Sequence, residues 1–491
     1  RIQQIRDERR NMKISIPLFL AMIASHEASA TNQRTTGGRR LGKFSKPCTA
    51  VLVDVQYQAN AEVNLVDKRY LACLTDDGST YKVKAANQNF LKENFENGAF
   101  KSGETDLTFG NDAVLDSVTN EISSKSPPGL AKKSWESGRK LAVTSGKKSV
   151  LVVRVVASDD STSASDTDLG NSVFGNNVDS VNLSSQYAAC SHNKLEFVKA
   201  ADKFGTEDAN SIKDGVVTVT VSTTVAEGDG PMRNAITAKL NSVFNVSSPN
   251  QLANHVMYCL PPGTMNGIAY AYINSWMSVY SDYWCTYVSA QMHEIGHNLN
   301  MAHANEGTTN YDDQSGMMGY SYSSSDSPVM CFNSAKSWQF GWYDQRHQIL
   351  DANSNRAYLG KLVPILDDPD ITTGDPMIIK IETGTNADYF INFNRKLGFN
   401  SGTVEGGNQV LVTVAGNGDS YVQSNLQAKL SAGQAWVATV GTETVTVTVN
   451  AISTLDNGFA DVNICFGQCP NIDTPVPTAV PTTSPTKRPT A

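Results

Sequence analysis

The segment Gln291-Met292-His293-Glu294-Ile295-Gly296-His297-Asn298-Leu299-Asn300-Met301-Ala302-His303 constrains this chain more than any other. On an α-helix, residues four apart share a face, so His293 and His297 aim two imidazoles at one point. Glu294 sits beside that point without facing it and is placed to take a proton from water activated there. A catalytic zinc ion needs a third protein ligand and one open position. His303 supplies that ligand if the helix stops just after His297 and the chain turns back. The turn falls at Asn300, and asparagine is among the non-glycine residues most tolerant of left-handed backbone. The expectation is a short helix, a left-handed turn and a loop converging on one divalent ion.

The sequence on either side of the motif predicts a mixed fold. Residues 149–156 are a nearly continuous apolar run, as in a strand buried on both faces. Val217, Val219 and Val221 alternate with threonines, which predicts a half-buried strand. Met232, Ile236, Leu240, Val243 and Phe244 recur at helical spacing, so residues 231–244 are expected to form an amphipathic helix with Pro231 in its first turn. Residues 256–260 and 267–273 read as further strands and 286–299 as the motif helix. Beyond about residue 350, short strands at 377–381, 389–393, 410–414 and 444–449 alternate with Gly/Asn/Asp turns, the pattern of a β-sandwich. A net charge of −8 and the absence of long basic blocks argue against a nucleic-acid partner.

The motif H-E-x-x-H-x-x-(G/N)-x-x-H resembles the zinc-binding motif of the metzincins. Metzincins carry a methionine turn beneath the metal, and Gly316-Met317-Met318-Gly319-Tyr320 stands at a suitable distance downstream. The resemblance makes Met318 the turn methionine, or Met317 if the register slips by one. It gives Tyr320 the position of a tyrosine that ligates zinc or stabilises the oxyanion. Upstream, Gln186-Tyr187-Ala188-Ala189-Cys190-Ser191-His192-Asn193-Lys194-Leu195 is similar to a stretch of the gametolysin-like metalloproteases, the algal cell-wall lysins. That likeness covers residues 148–350, and extends more weakly through 388–395 and 398–402. Members of the family can carry Gln at the first ligand position, where this chain has His293.

The resemblance implies a secreted zinc endopeptidase acting on protein or glycoprotein of the extracellular matrix or cell wall. Zinc is the expected cofactor, with calcium as a second candidate. It also implies that Gly267, Ile268, Ala269 and Tyr270 form an edge strand that pairs with extended substrate; an interior strand reads equally well from the sequence. The fold class expected is an α+β metzincin-like catalytic domain, a mixed sheet plus the active-site helix, followed by a β-sandwich-like C-terminal domain. The rival reading is a non-catalytic cell-surface or matrix-binding glycoprotein with a vestigial zinc site.

Domain organisation follows from the flanks. Met12-Lys13, an apolar run to Ala24 and Ala28-Ser29-Ala30 have the order of a signal peptide over 12–30, too short to span a bilayer. Residues 31–147 are expected to be a propeptide, 148–350 the catalytic domain, 351–470 the β-sandwich-like domain, and 471–491 an extended Pro/Thr-rich tail. Eight cysteines in an exported chain point to disulfides. A Cys48–Cys73 bond reads better than either cysteine held on the metal as a latency switch. Cys190 reads as a disulfide partner, not a nucleophile. Sequons at Asn182 and Asn245 are compatible with a glycoprotein. His26, His192, His255 and His347 lack ligand-like spacing, and Trp338 to Trp342 read as packing.

Overall fold

The computed structural model describes residues 41–470 apart from 58–68, 85–87, 97, 133–143, 177, 207–209, 320–325, 367–373, 417–420 and 456. The expected leader, the Pro/Thr-rich tail and Tyr320 lie outside the described residues. No helix among the described residues is long and apolar enough to cross a membrane.

Side-chain alternation accounts for the first long strand. Cys48–Gln56 (β1) is buried along its whole length. Its odd members Val51, Val53 and Val55 join the core of the region that follows, while Cys48, Ala50 and Leu52 join a smaller core with Phe44, Leu71 and Phe100. Arg69–Leu74 (β2) pairs with it antiparallel, and the Cys48–Cys73 disulfide fastens the two together.

The apolar run at 149–156 lies within Gly146–Val156 (β3). Its even and odd residues face opposite cores: Val150 and Val152 one way, Leu151, Val153 and Val155 the other. Burial on both faces is what an interior parallel strand requires. Leu195–Lys199 (β4) and Val216–Thr220 (β5) pair with the two halves of one edge of β3, and His255–Leu260 (β6) pairs with the other edge, all parallel. Beyond β6 come Met277–Ser281 (β8), parallel to it, and then Ala269–Tyr272 (β7), antiparallel to β8. The outer edge of β7 is taken by β1. The early region and the central region therefore share one sheet of 14 strands.

Helix Leu183–Cys190 (α1) and the motif helix Val288–Asn298 (α2) belong to the first of the two central cores, whereas Asp229–Phe244 packs Met232, Ile236 and Leu240 into the second. Asn182 is 5% exposed and caps α1, accepting from the Ser185 N–H, so that sequon's side chain is already used; Asn245 is exposed.

After the motif, Ala304–Glu306 (β9) pairs with Ser424–Leu430 (β10), at one edge of a six-stranded sheet. A four-stranded sheet built from Ala357–Leu362 and the strands after residue 434 shares a core with it: Ile379, Ile391, Phe393 and Val412 meet Val445, Val447, Val462 and Ile464. The pairing of β9 with β10 crosses the boundary expected at residue 350. The architecture is a mixed α/β fold with several sheets and few helices.

Candidate metal centre

Every residue of α2 is buried, so each polar side chain on it needs a partner inside the protein. Gln291 Nε2 donates to the Cys285 carbonyl at 2.7 Å and to Ser172 Oγ at 2.9 Å. Asn298 Nδ2 donates to the carbonyls of Tyr272 and Met277 at 3.0 and 2.8 Å, which ties the helix end to β7 and β8. The Tyr187 hydroxyl, from the stretch similar to the algal lysins, donates to the Met292 carbonyl at 2.7 Å. Disulfides Cys259–Cys285 and Cys190–Cys331 tie the turn before α2 to β6 and α1 to the loop after the methionine turn. With Cys48–Cys73 and Cys465–Cys469, all eight cysteines are paired, which fits an extracellular protein.

The helix stops where the spacing requires. Asn300 has φ +75°, and the Met301 N–H returns to the Gly296 carbonyl at 2.9 Å. His293, His297 and His303 then converge, with candidate ligand atoms all within 4.8 Å of one another. The three side chains are 1% exposed or less. His293 Nδ1 meets the Met317 carbonyl at 2.9 Å and His297 Nδ1 meets the Met301 carbonyl at 2.8 Å. A carbonyl can only accept, so both Nδ1 atoms carry protons and both Nε2 atoms present lone pairs. His303 Nδ1 faces the Asp54 carboxylate at 3.5 Å, which favours a proton there too. Its Nε2 lone pair then lies 3.0 Å from that of His297. Two lone pairs held this close in a buried site call for a cation between them.

The surroundings point the same way. Glu294 is fully buried, and neither carboxylate oxygen has a hydrogen-bond partner among the described residues. An unpaired buried carboxylate costs several kcal/mol in a protein interior unless it takes up a proton or gains a partner. Burial, with a contribution from Asp54, raises its pKa well above the carboxylate range. Burial lowers His293 and His303 well below the usual imidazole value and His297 to about 4, which keeps all three neutral and able to ligate at physiological pH. His293, His297 and His303 form the one such cluster found among the described residues, so nothing there supports calcium.

Met317 supplies the carbonyl that orients His293, while the Met318 sulfur lies under the helix, 2.7 Å from where a Cβ on Gly296 would be. Asp313 is buried and bonded to Ser315 and Asn333, away from the cluster.

Of the two readings of Gly267, Ile268, Ala269 and Tyr270, edge or interior, the strand β7 has the interior arrangement in this chain: β8 pairs with one side and β1 with the other. Four neighbours of the histidines also escaped the reading of the sequence. Asp54 and Gln56 come from β1, Arg69 holds Asp54, and the Tyr311 ring lies 3.9 Å from that of His303. Asp54 had a signal: a charge inside the apolar run 50–55, where a fully buried strand has no use for one. Tyr311 had none, since tyrosines on loops are common.

Residues 148–390, about half the chain, match the family described as Gametolysin peptidase M11. No curated protein and no solved structure matches the chain.

Proposed function

The chain belongs, through residues 148–390, to the gametolysin-like metallopeptidases, and from that premise we propose that it is a secreted zinc endopeptidase of the metzincin type. Its substrates are proteins or glycoproteins of the extracellular matrix or cell wall. The observation that carries this reading is the convergence of three imidazole lone pairs beside the unpartnered Glu294 carboxylate.

His293, His297 and His303 hold the zinc, and the donor set of three neutral imidazoles suits that ion. A zinc ion held by these three residues would supply Lewis acidity for activating water and polarising a carbonyl. Glu294 takes the proton of the attacking water and delivers it to the departing amine, as a carboxylate beside the activated water can. Met318 supports the helix from below, and Tyr320 steadies the oxyanion. Residues 31–147 serve as a propeptide and 351–470 as a β-sandwich-like accessory domain. Extended substrate pairs along Gly267, Ile268, Ala269 and Tyr270 once that edge is free.

The test is a casein or gelatin assay on matured, secreted protein, with and without a chelator. Glu294→Gln should keep its metal and lose about 10²- to 10⁴-fold in turnover. Undiminished hydrolysis in that variant sinks the base assignment. Wild-type protein that holds zinc yet cleaves nothing favours the non-catalytic matrix-binding alternative.

A further inference from the structure

Two sequons stand in the sequence, Asn182-Leu183-Ser184 and Asn245-Val246-Ser247, and the fold treats them oppositely. Asn182 is 5% exposed and lies at the N-terminus of α1. Its Oδ1 accepts from the Ser185 N–H at 2.9 Å. Its Nδ2 is packed against Gly175, 2.7 Å from where a Cβ on that glycine would be. Ser184 spends its hydroxyl on the Phe197 carbonyl. A sugar on Asn182 Nδ2 has no room in this fold and would break the cap of α1.

Asn245 is the reverse case. The helix Asp229–Phe244 ends on it, with φ +50° and its own N–H returned to the Asn241 carbonyl. The backbone is thus fixed while the side chain is exposed, as is that of Ser247. Beside this helix end stands Phe204, 92% exposed, the most exposed large apolar side chain among the described residues. The segment around it is fastened to the same turn. The Thr206 N–H donates to the Val243 carbonyl at 2.9 Å, and Lys203 Nζ donates to the Phe244 carbonyl at 3.0 Å. Gly205 permits the approach, since a Cβ there would stand 2.5 Å from a Val243 methyl and 2.1 Å from the Asn210 carbonyl oxygen. A large apolar ring held in water at a fixed place calls for something to cover it. The C–H face of a hexose is apolar and fits the electron-rich face of an aromatic ring.

We propose that Asn245 carries an N-linked glycan, that Asn182 does not, and that the first sugars of the glycan lie over Phe204. The attachment rests on the secreted reading given above. The co-reactant is an oligosaccharide carried on a lipid pyrophosphate. A bond forms from Asn245 Nδ2 to C1 of its first sugar, and the bond from C1 to the pyrophosphate breaks. The pyrophosphate leaves with the electron pair, and Nδ2 loses a proton.

The test expresses the full chain in a eukaryotic secretory host. Intact mass before and after a peptide N-glycosidase counts the glycans, and peptide mapping finds the asparagine that the enzyme converts to aspartate. A single glycan is expected, on Asn245. Asn245→Gln and Ser247→Ala should each abolish it. Asn182→Ser, which keeps a capping oxygen, should leave it in place. Thermal melts then locate the sugar. Enzymatic removal of the glycan should lower Tm by about 2–4 °C in wild type and by less than about 1 °C in Phe204→Ser. Equal shifts in the two overturn the placement over Phe204. Secreted wild type with a bare Asn245, or with a glycan on Asn182, overturns the assignment and leaves the secreted reading standing. A chain retained inside the host sinks that reading, and the glycan with it.

Discussion

The helix side of the histidine cluster, its floor, and the β1 side, its roof, are built on different length scales. The floor is nearly continuous in sequence: α2, the turn at Asn300, His303 and the Met317-Met318 pair all lie between residues 288 and 318. The roof comes from β1, and its contacts with the floor join residues 237 and 257 positions apart, Gln56 to His293 and Asp54 to Tyr311. Helical spacing and one left-handed residue are enough to assemble the floor. The roof depends on strand register, and a slip of one residue would turn Asp54 and Gln56 away from the histidines.

The largest effect is expected from loss of a histidine. His297→Ala should weaken zinc binding by about a thousandfold or more, because a three-ligand site becomes a two-ligand one. Metal analysis after dialysis reads this directly, and full zinc occupancy in that variant would contradict the assignment.

A smaller effect is expected with pH, beneath the floor. Burial lowers the His255 pKa from 6.5 to about 4. The unfolded chain binds a proton as pH falls below 6.5 while the folded chain does not, so stability is lost on acidification through the window from 6.5 to 4. The full loss is about 3 kcal/mol. Thermal melts of metal-free wild type and His255→Gln at about pH 7.5 and about pH 4.5 should show a smaller acid shift in the variant. Identical shifts would remove His255 from the account.

The smallest effects distinguish the two surfaces by glycine. An added Cβ at Gly267 meets the Gln56 backbone oxygen, which cannot move without shifting β1; at Gly296 it meets the Met318 sulfur, on a side chain that can rotate. In the full chain, Gly267→Ala should cost about 2–3 kcal/mol and Gly296→Ala about 1 kcal/mol. Denaturation midpoints that reverse this order would mean that the roof yields more easily than the floor.

Much of the fold could be anticipated one element at a time. The runs at 149–156, 256–260 and 410–414 appear as strands and 286–299 as the motif helix, because burial on both faces of a parallel strand and the 3.6-residue period leave direct marks on composition. The segment 267–273 is also recognisable as a strand, but edge and interior placement read equally well from its residues. Pairing partners are not written into a strand's own residues.

By itself, the sequence determined the local chemistry: which imidazoles share a helix face, where the chain must turn left-handed, and which carboxylate is left beside the cluster. These depend on dihedral preferences and short spacings, which a single segment carries. Only the tertiary structure decided what faces that cluster. It set β1 against β7 and paired the eight cysteines. It also joined the loop after His303 to the C-terminal sheet through β9 and β10. Those contacts rest on register and on burial shared between distant segments, and neither is encoded at any one place along the chain.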